Sequence, residues 1–381
     1  MKDDPILNEF IDNRNLSDDT ELRYRIIIRD YCNYTGLTPE QLINEAEKEE
    51  ETGIRLRKRR IKQYLIGFKK YLQDKDHSEL TVKNSLSVIR SFYHEFEIEL
   101  PYTRSKKRYA KQQTKEDLPK KKDIVHALKF CNLKYSAIIY LMASSGMGTS
   151  EVINLTFTDF LKSIETYING SRDIEEITSI LKRKADNKEL VISTWNITRI
   201  KTRMPYTTFS TYESIEAILL YLKSSSAIED EYLFRSQQTD KQIPRKTFGN
   251  QFNIINYRAG FGKVDRQIFF RSHNLRKYFT NVLHKNKVTK ERIDWMLGHQ
   301  IDSTSDSYFK SDITDLKEEY IRCIPDLSIE ETEVKSYKSH EFIKVESELE
   351  DTKKRLKRIE RFMEEKERTD NLKNPGKNDI L

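Results

Sequence analysis

Ser272-His273-Asn274-Leu275-Arg276-Lys277-Tyr278 and Leu297-Gly298-His299 decide how this chain is read, together with Tyr308, nine residues beyond His299. A phosphodiester attacked by a phenol needs cationic and hydrogen-bonding groups around its non-bridging oxygens and a nucleophile held in line. Arg276, His273, His299 and Tyr308 are residue types that fill those roles, so the pattern points to phosphoryl transfer onto tyrosine. Taken alone, His273-x-x-Arg276 is an ordinary helix surface. Leu275, Phe279 and Leu283 predict the buried stripe of that helix, which puts His273 and Arg276 on a neighbouring face within reach of one ligand. Arginine suits a phosphate clamp because its planar fork gives two parallel hydrogen bonds and never deprotonates. His273 can donate to a non-bridging oxygen or assist proton movement. Gly298, after the apolar Ile293, Met296 and Leu297, is expected just past a helix end in left-handed conformation.

The 381 residues suffice for two domains with separate cores and an extra segment. Charged residues make up 34% and hydrophobic ones 36%, with only 11 Gly and 8 Pro, which favours a helix-rich chain. The net charge of +7 is modest, but its placement is informative. From Pro101 to Lys122, nine basic residues stand against Glu116 and Asp117, so this segment carries the excess. Cys32, Cys131 and Cys323 are far apart, which argues against a disulfide framework or zinc site and for a reducing compartment. The start, Met1-Lys2-Asp3-Asp4-Pro5, lacks signal-peptide character, and no apolar run is long enough to span a bilayer, so a cytoplasmic protein is expected.

Periodicity predicts several helices in residues 1–100. The stripes are Leu22, Ile26 and Ile27, then Ile61, Leu65, Phe68 and Leu72, then Val82, Leu86, Ile89 and Phe92-Tyr93. Residues 101–122 read as a basic linker, either a solvated tether or a strand of charge laid along phosphates. A helix is expected from Ile124 through Leu141, broken at Ser144 to Gly146 and restarted with Thr149 or Ser150 as N-cap. Residues 160–188 look like a polar, partly helical insertion. Leu190 to Trp195, Thr198 to Thr202 and Pro205 to Phe209 predict a small antiparallel sheet, with Lys201 in a strand just before a turn. Ser210-Thr211-Tyr212-Glu213 reads as a capping box for a helix burying Ile215, Ile218, Leu219 and Leu222. Near the end, Phe342, Leu349, Leu356 and Met363 fall seven apart with Val345, Thr352 and Ile359 interleaved. That heptad helix, 342–363, is open to a coiled coil, a helix packed in cis or a basic helix on DNA.

The motifs His273-x-x-Arg276, Leu297-Gly298-His299 and Tyr308 resemble the tyrosine recombinase (phage integrase) family, over roughly residues 120–325. Trp195 to Phe209 is similar to archaeal members in particular. The resemblance implies a mainly α (α+β) chain. It would comprise an N-terminal helical core-binding domain over 1–100, the basic linker 101–122, a catalytic domain with its small sheet over 123–325, and a tail over 326–381. It implies that Tyr308 attacks the scissile phosphate, giving a 3′-phosphotyrosine and a free 5′-hydroxyl with no metal or other cofactor. Arg276, His273 and His299 would surround the phosphate, and Lys201 would protonate the leaving oxygen, with Lys188 or Arg199 as alternatives. Glu151 resembles the acid behind the family's first arginine. Lys106, Lys107, Arg108, Lys111, Lys120, Lys121 and Lys122 would lie along DNA.

One position departs from the family. In Ser144-Ser145-Gly146-Met147-Gly148-Thr149-Ser150-Glu151, Gly148 stands where the first arginine belongs. Losing one preorganised donor costs about 2.7–4 kcal/mol of transition-state stabilisation, and Arg172 or Arg203 could substitute from a nearby loop. Two functions are therefore expected. One is a site-specific recombinase or integrase acting on double-stranded attachment sites as a homo-tetramer in the nucleoid, for a viral or mobile element. The other is a catalytically impaired DNA-binding member of the same fold.

Overall fold

The computed structural model describes residues 4–102, 117–225, 231–236, 241–264, 266–300 and 312–329. Tyr308, the linker residues Lys106, Lys107, Arg108 and Lys111, and the heptad segment 342–363 lie outside the described residues. The contacts divide the chain into two compact units, Met1–Lys111 and Gln112–Leu381. The fold is mainly helical with a small antiparallel sheet, as the sequence predicts.

The first unit contains α1 (Pro5–Asp12), α2 (Asp18–Thr35), α3 (Pro39–Glu51), α4 (Arg60–Asp74) and α5 (Glu79–Glu95). Helix α4 buries Ile61, Leu65, Phe68 and Leu72, and α5 buries Val82, Leu86, Ile89, Phe92 and Tyr93, as their spacing dictates. Burying one such Leu or Phe stabilises a fold by about 1.5–3 kcal/mol. In α2 the expected stripe is shifted. Leu22 and Ile26 are exposed, and Ile27, Ile28, Tyr31 and Cys32 face the core. Tyr31 meets Tyr93 hydroxyl to hydroxyl at 3.2 Å, so aromatic packing with Phe68 and Phe92 selects the face.

The second unit begins with α6 (Lys121–Leu128) and α7 (Leu133–Ser145). These replace the single helix expected from Ile124 to Leu141, because Asn132 caps α7 by accepting from Tyr135 N at 2.9 Å. Helix α7 is buried around its circumference, so it is the central helix of the unit. Then come α8 (Thr149–Asn154), α9 (Phe157–Ser163), α10 (Glu165–Ile168) and α11 (Ile174–Asp186). Strands β1 (Ser193–Thr198) and β2 (Pro205–Ser210) pair antiparallel, from Ser193 opposite Ser210 to Thr198 opposite Pro205. The sheet is therefore two-stranded, and residues 196 and 197, between the first two expected segments, are part of β1. Residues 199–204 form the turn, so Lys201 sits in the turn and not in a strand.

Helix α12 (Tyr212–Ser224) has Thr211 as its N-cap, without a side-chain capping bond, and the Ser210 hydroxyl, the expected cap, is engaged by Ser193, Trp195 and Ser214. The expected capping box is absent. Next are α13 (Arg245–Arg258), the short pair β3 (Lys263–Val264) and β4 (Gln267–Ile268), α14 (Ser272–Lys285), α15 (Lys290–Met296) and α16 (Ile313–Leu327). Helix α14 buries Leu275, Phe279 and Leu283 against α7 and α16. The apolar core extends to Ile329, whose amide donates to Glu213 Oε2 at 2.8 Å.

Candidate active site

The last carbonyls of a helix lack partners within it. At the end of α7 three consecutive ones are each met by a side chain from a different element. Tyr320 of α16 donates to Ser144 O at 2.9 Å, Thr208 of β2 to Ser145 O at 2.7 Å, and Arg276 of α14 to Gly146 O at 2.7 Å. Gly146 ends the helix with φ +68, and a Cβ there would overlap Phe279 and lie 2.8 Å from Leu297 Cδ2. The segment that leads into Gly148 is thereby pinned to the rest of the unit.

Helix α8 restarts with Gly148 as its N-cap, in extended conformation at φ −82 and ψ 169. Thr149 and Ser150, the expected caps, are instead the first helical residues. Thr149 Oγ1 meets Ser272 Oγ at 3.1 Å, which ties the start of α8 to the start of α14. Glu151 is buried, and its carboxylate turns back over Gly148, lying where a side chain at 148 would begin.

Arg276 is 9% exposed. Beyond Gly146 O, its Nη2 donates to Leu297 O at 2.7 Å and reaches His299 Nε2 at 3.1 Å. Because a guanidinium only donates, Nε2 accepts, and the proton resides on Nδ1, which donates to Asp294 Oδ1 at 2.7 Å. This assigns a neutral imidazole to His299. Burial pushes its pKa down, and Arg276 and Arg199 add to that against the opposing pull of Asp294. His273 is solvent-accessible, yet partial desolvation and then Lys277, Arg271 and Arg276 hold its pKa below the usual range too. Arg271 is the N-cap residue of α14, with Nε 3.2 Å from Asn274 Oδ1.

The β1–β2 turn closes the site from another side. Arg199 Nη1 donates to Gly298 O at 3.0 Å, and Thr202 Oγ1 lies 3.5 Å from the same oxygen. Gly298 takes φ +62, as expected after a helix end, and a Cβ on it would stand 2.5 Å from Tyr206 Cδ1. Tyr206 is buried with its phenol beside Glu151, Arg276 and Arg199 but without a hydrogen bond of good geometry. Desolvation raises its pKa well above the ordinary phenol value, with Glu151 adding to the rise.

The structure thus brings Arg276, His299, Glu151 and Gly148 to one place, with His273 one helical turn from Arg276. Lys201 is exposed in the tethered turn, Arg203 is exposed there with φ +54, and Lys188 follows α11 with φ +61. Arg172 lies in the loop before α11. Lys120, Lys121 and Lys122 lie at the start of α6. The sequence reading missed Tyr206, Arg271 and Asp294. Only Asp294 left a signal, an acid five residues before His299, where the helix end folds the two together.

The phage integrase family matches residues 118–314. The chain belongs to this family. Among solved structures, it is similar to a lambda integrase dimer bound to a COC′ core site, with 12% identity, 81% of this chain and 98% of that one covered, and a TM-score of 0.52. Similarity also extends to the Tn1549 transposon integrase in complex with transposon right end DNA, at 12% identity, coverage of 82% and 97%, and a TM-score of 0.48. For the XerH site-specific recombinase bound to difH substrate the identity is 15%, the coverage 68% of each chain and the TM-score 0.43. No curated protein matches this chain. The likeness to lambda integrase concerns the phage integrase fold. Among the described residues no helix is long and apolar enough to cross a membrane, and no group of three His, Cys, Asp or Glu is placed to hold a metal.

Proposed function

We propose that this chain is a site-specific DNA strand transferase that cuts and rejoins double-stranded DNA through a 3′-phosphotyrosine on Tyr308. One observation carries the proposal. Arg276, His299 and the turn bearing Lys201 are held together by the consecutive carbonyls of Leu297 and Gly298. Such a fixed array of donors stabilises charge that develops on a phosphoryl group without reorganising.

In the cleavage step the Tyr308 oxygen bonds to phosphorus and the bond to the 5′-oxygen breaks. His273, kept neutral by its lowered pKa, accepts the phenol proton. Lys201 gives a proton to the leaving 5′-oxygen. Arg276 has already committed one Nη1 hydrogen and both Nη2 hydrogens. Its Nε–H and second Nη1–H remain for Tyr206 or a non-bridging oxygen. Attack of a 5′-hydroxyl on the phosphotyrosine reverses the step, so the bond energy is retained.

The basic segment 101–122 would lie along the DNA backbone, and a tetramer on two attachment sites would exchange strands to integrate or excise a viral or mobile element. A second reading, a DNA-binding member that has lost cleavage, is favoured by Gly148 and the Glu151 carboxylate lying over it. The discriminating experiment incubates the full chain with nicked duplexes selected by it from a randomised pool, then denatures and maps any adduct. An adduct on Tyr308, absent in Tyr308→Phe, is the expected result. Tight duplex binding with no adduct on any tyrosine would establish the second reading.

A further inference from the structure

Resting on the strand-transfer proposal, we infer that Arg199 supplies the second guanidinium of the phosphate clamp, in place of the arginine missing at Gly148. Position 148 itself brings no side chain to an anion. Its nearest side-chain atoms are the oxygens of Glu151, which would repel a phosphate. A cation is fastened beside Arg276. Arg276 Nη2 donates to Leu297 O and Arg199 Nη1 to Gly298 O, and the two guanidiniums lie near enough for the charge of Arg199 to act against that of Arg276.

Two cations placed so close repel each other, and each lowers the pKa of His299 between them. An anion bridging them relieves that repulsion, and two planar forks can share the non-bridging oxygens of one phosphodiester. Arg199 is also the more accessible of the two, being part-exposed where Arg276 is buried. It lies two residues from Lys201 on one turn, so a single tethered element would bring both side chains to the phosphate. Arg203 shares the turn but is exposed, and no hydrogen bond ties its side chain to the Leu297–His299 segment.

The experiment measures the rate of Tyr308 adduct formation on the selected nicked duplexes for the parent, Arg199→Ala, Arg199→Lys and Gly148→Arg/Arg199→Ala. Removing one clamp donor should slow the adduct by roughly 10²–10³. Arg199→Lys, which keeps the charge without the fork, should fall between. The double variant should recover at least tenfold over Arg199→Ala, because a guanidinium returns from the 148 side; a merely structural loss at Arg199 gains nothing from it. Arg199→Ala at the parent rate, or a double variant no faster than Arg199→Ala, overturns the assignment. If the parent forms no adduct, the strand-transfer reading itself fails, and the clamp is judged by binding. Arg199→Ala should then lower the salt slope of duplex affinity by about 0.9, and an unchanged slope overturns the inference. If Arg199→Ala does not fold, Arg199→Lys carries both measurements.

Discussion

Replacing Arg276 by methionine keeps an unbranched apolar stem and removes the guanidinium. The side chain is 9% exposed and donates to Gly146 O and Leu297 O at 2.7 Å each and to His299 Nε2 at 3.1 Å. Hydrogen bonds from a charged donor contribute about 1.5–3 kcal/mol each, and a buried carbonyl left alone costs about 1–3 kcal/mol. Against this, burial of the guanidinium is itself costly, and methionine is freely buried. Taking two carbonyl bonds near the low end and offsetting the desolvation relieved, the expected loss is about 2–4 kcal/mol. For a unit of this size that is a fall in Tm of roughly 5–15 °C. The chain's two tryptophans, Trp195 and Trp295, both lie in the second unit, so their fluorescence follows its unfolding alone. This avoids a two-state fit to a two-unit chain. A loss below about 1 kcal/mol would refute the view that Arg276 is a scaffold bond as well as a phosphate ligand.

Gly298→Ala should destabilise the second unit by about 2–4 kcal/mol, combining a left-handed backbone with a methyl driven into the Tyr206 ring. Adding Tyr206→Leu should recover part of that loss but not the backbone share, and a single variant unfolding at the parent denaturant midpoint would mean the ring yields freely. Folded-state pKa values of His273 and His299 are both depressed below 6.5. The unfolded chain therefore takes up protons first on acidification, and this stability is present above 6.5 and is lost as pH falls through the lower folded values. Unfolding free energy of the second unit should drop between about pH 7 and pH 5, and less steeply in His299→Gln; an identical slope in that variant would contradict the neutral His299 assignment.

What was legible in the sequence was whatever short-range rules determine. The stripes of α4, α5 and α14 follow from spacing, and the left-handed Gly298 follows from its place after an apolar helix end. What was not legible depends on partners distant in sequence. Ser210 looked like a cap, but Ser193, Trp195 and Ser214 engage its hydroxyl, and Thr211 is the N-cap of α12. Leu22 and Ile26 fit a helical stripe, but Tyr93 of α5 selects the neighbouring face that carries Tyr31. The strand and turn around Lys201 were offset because β-branched residues continue past the true end of β1. In the candidate site, the placing of His273 and Arg276 on one helix and of His299 just past a helix end was legible through spacing. Tyr206 and the Arg199 contact with Gly298 did not, since both arise from a hairpin folding onto a segment about a hundred residues later.

Glycine at position 148 leaves the fold intact for a reason visible in the bonding. Position 148 is an N-cap in ordinary extended backbone, and the preceding carbonyls of Ser144, Ser145 and Gly146 are satisfied by Tyr320, Thr208 and Arg276. No scaffold bond passes through a side chain at 148. An arginine there would meet the Glu151 carboxylate that lies where its side chain would begin, and under the strand-transfer proposal its absence costs transition-state stabilisation while removing none of these scaffold bonds. Arg276 differs, because its guanidinium joins the end of α7 to the end of α15. The two positions are therefore unequal in what a chain can lose and still fold. A replacement cation has to come from an element already fastened to the site, and the β1–β2 turn, bonded to Gly298 O through Arg199, meets that condition.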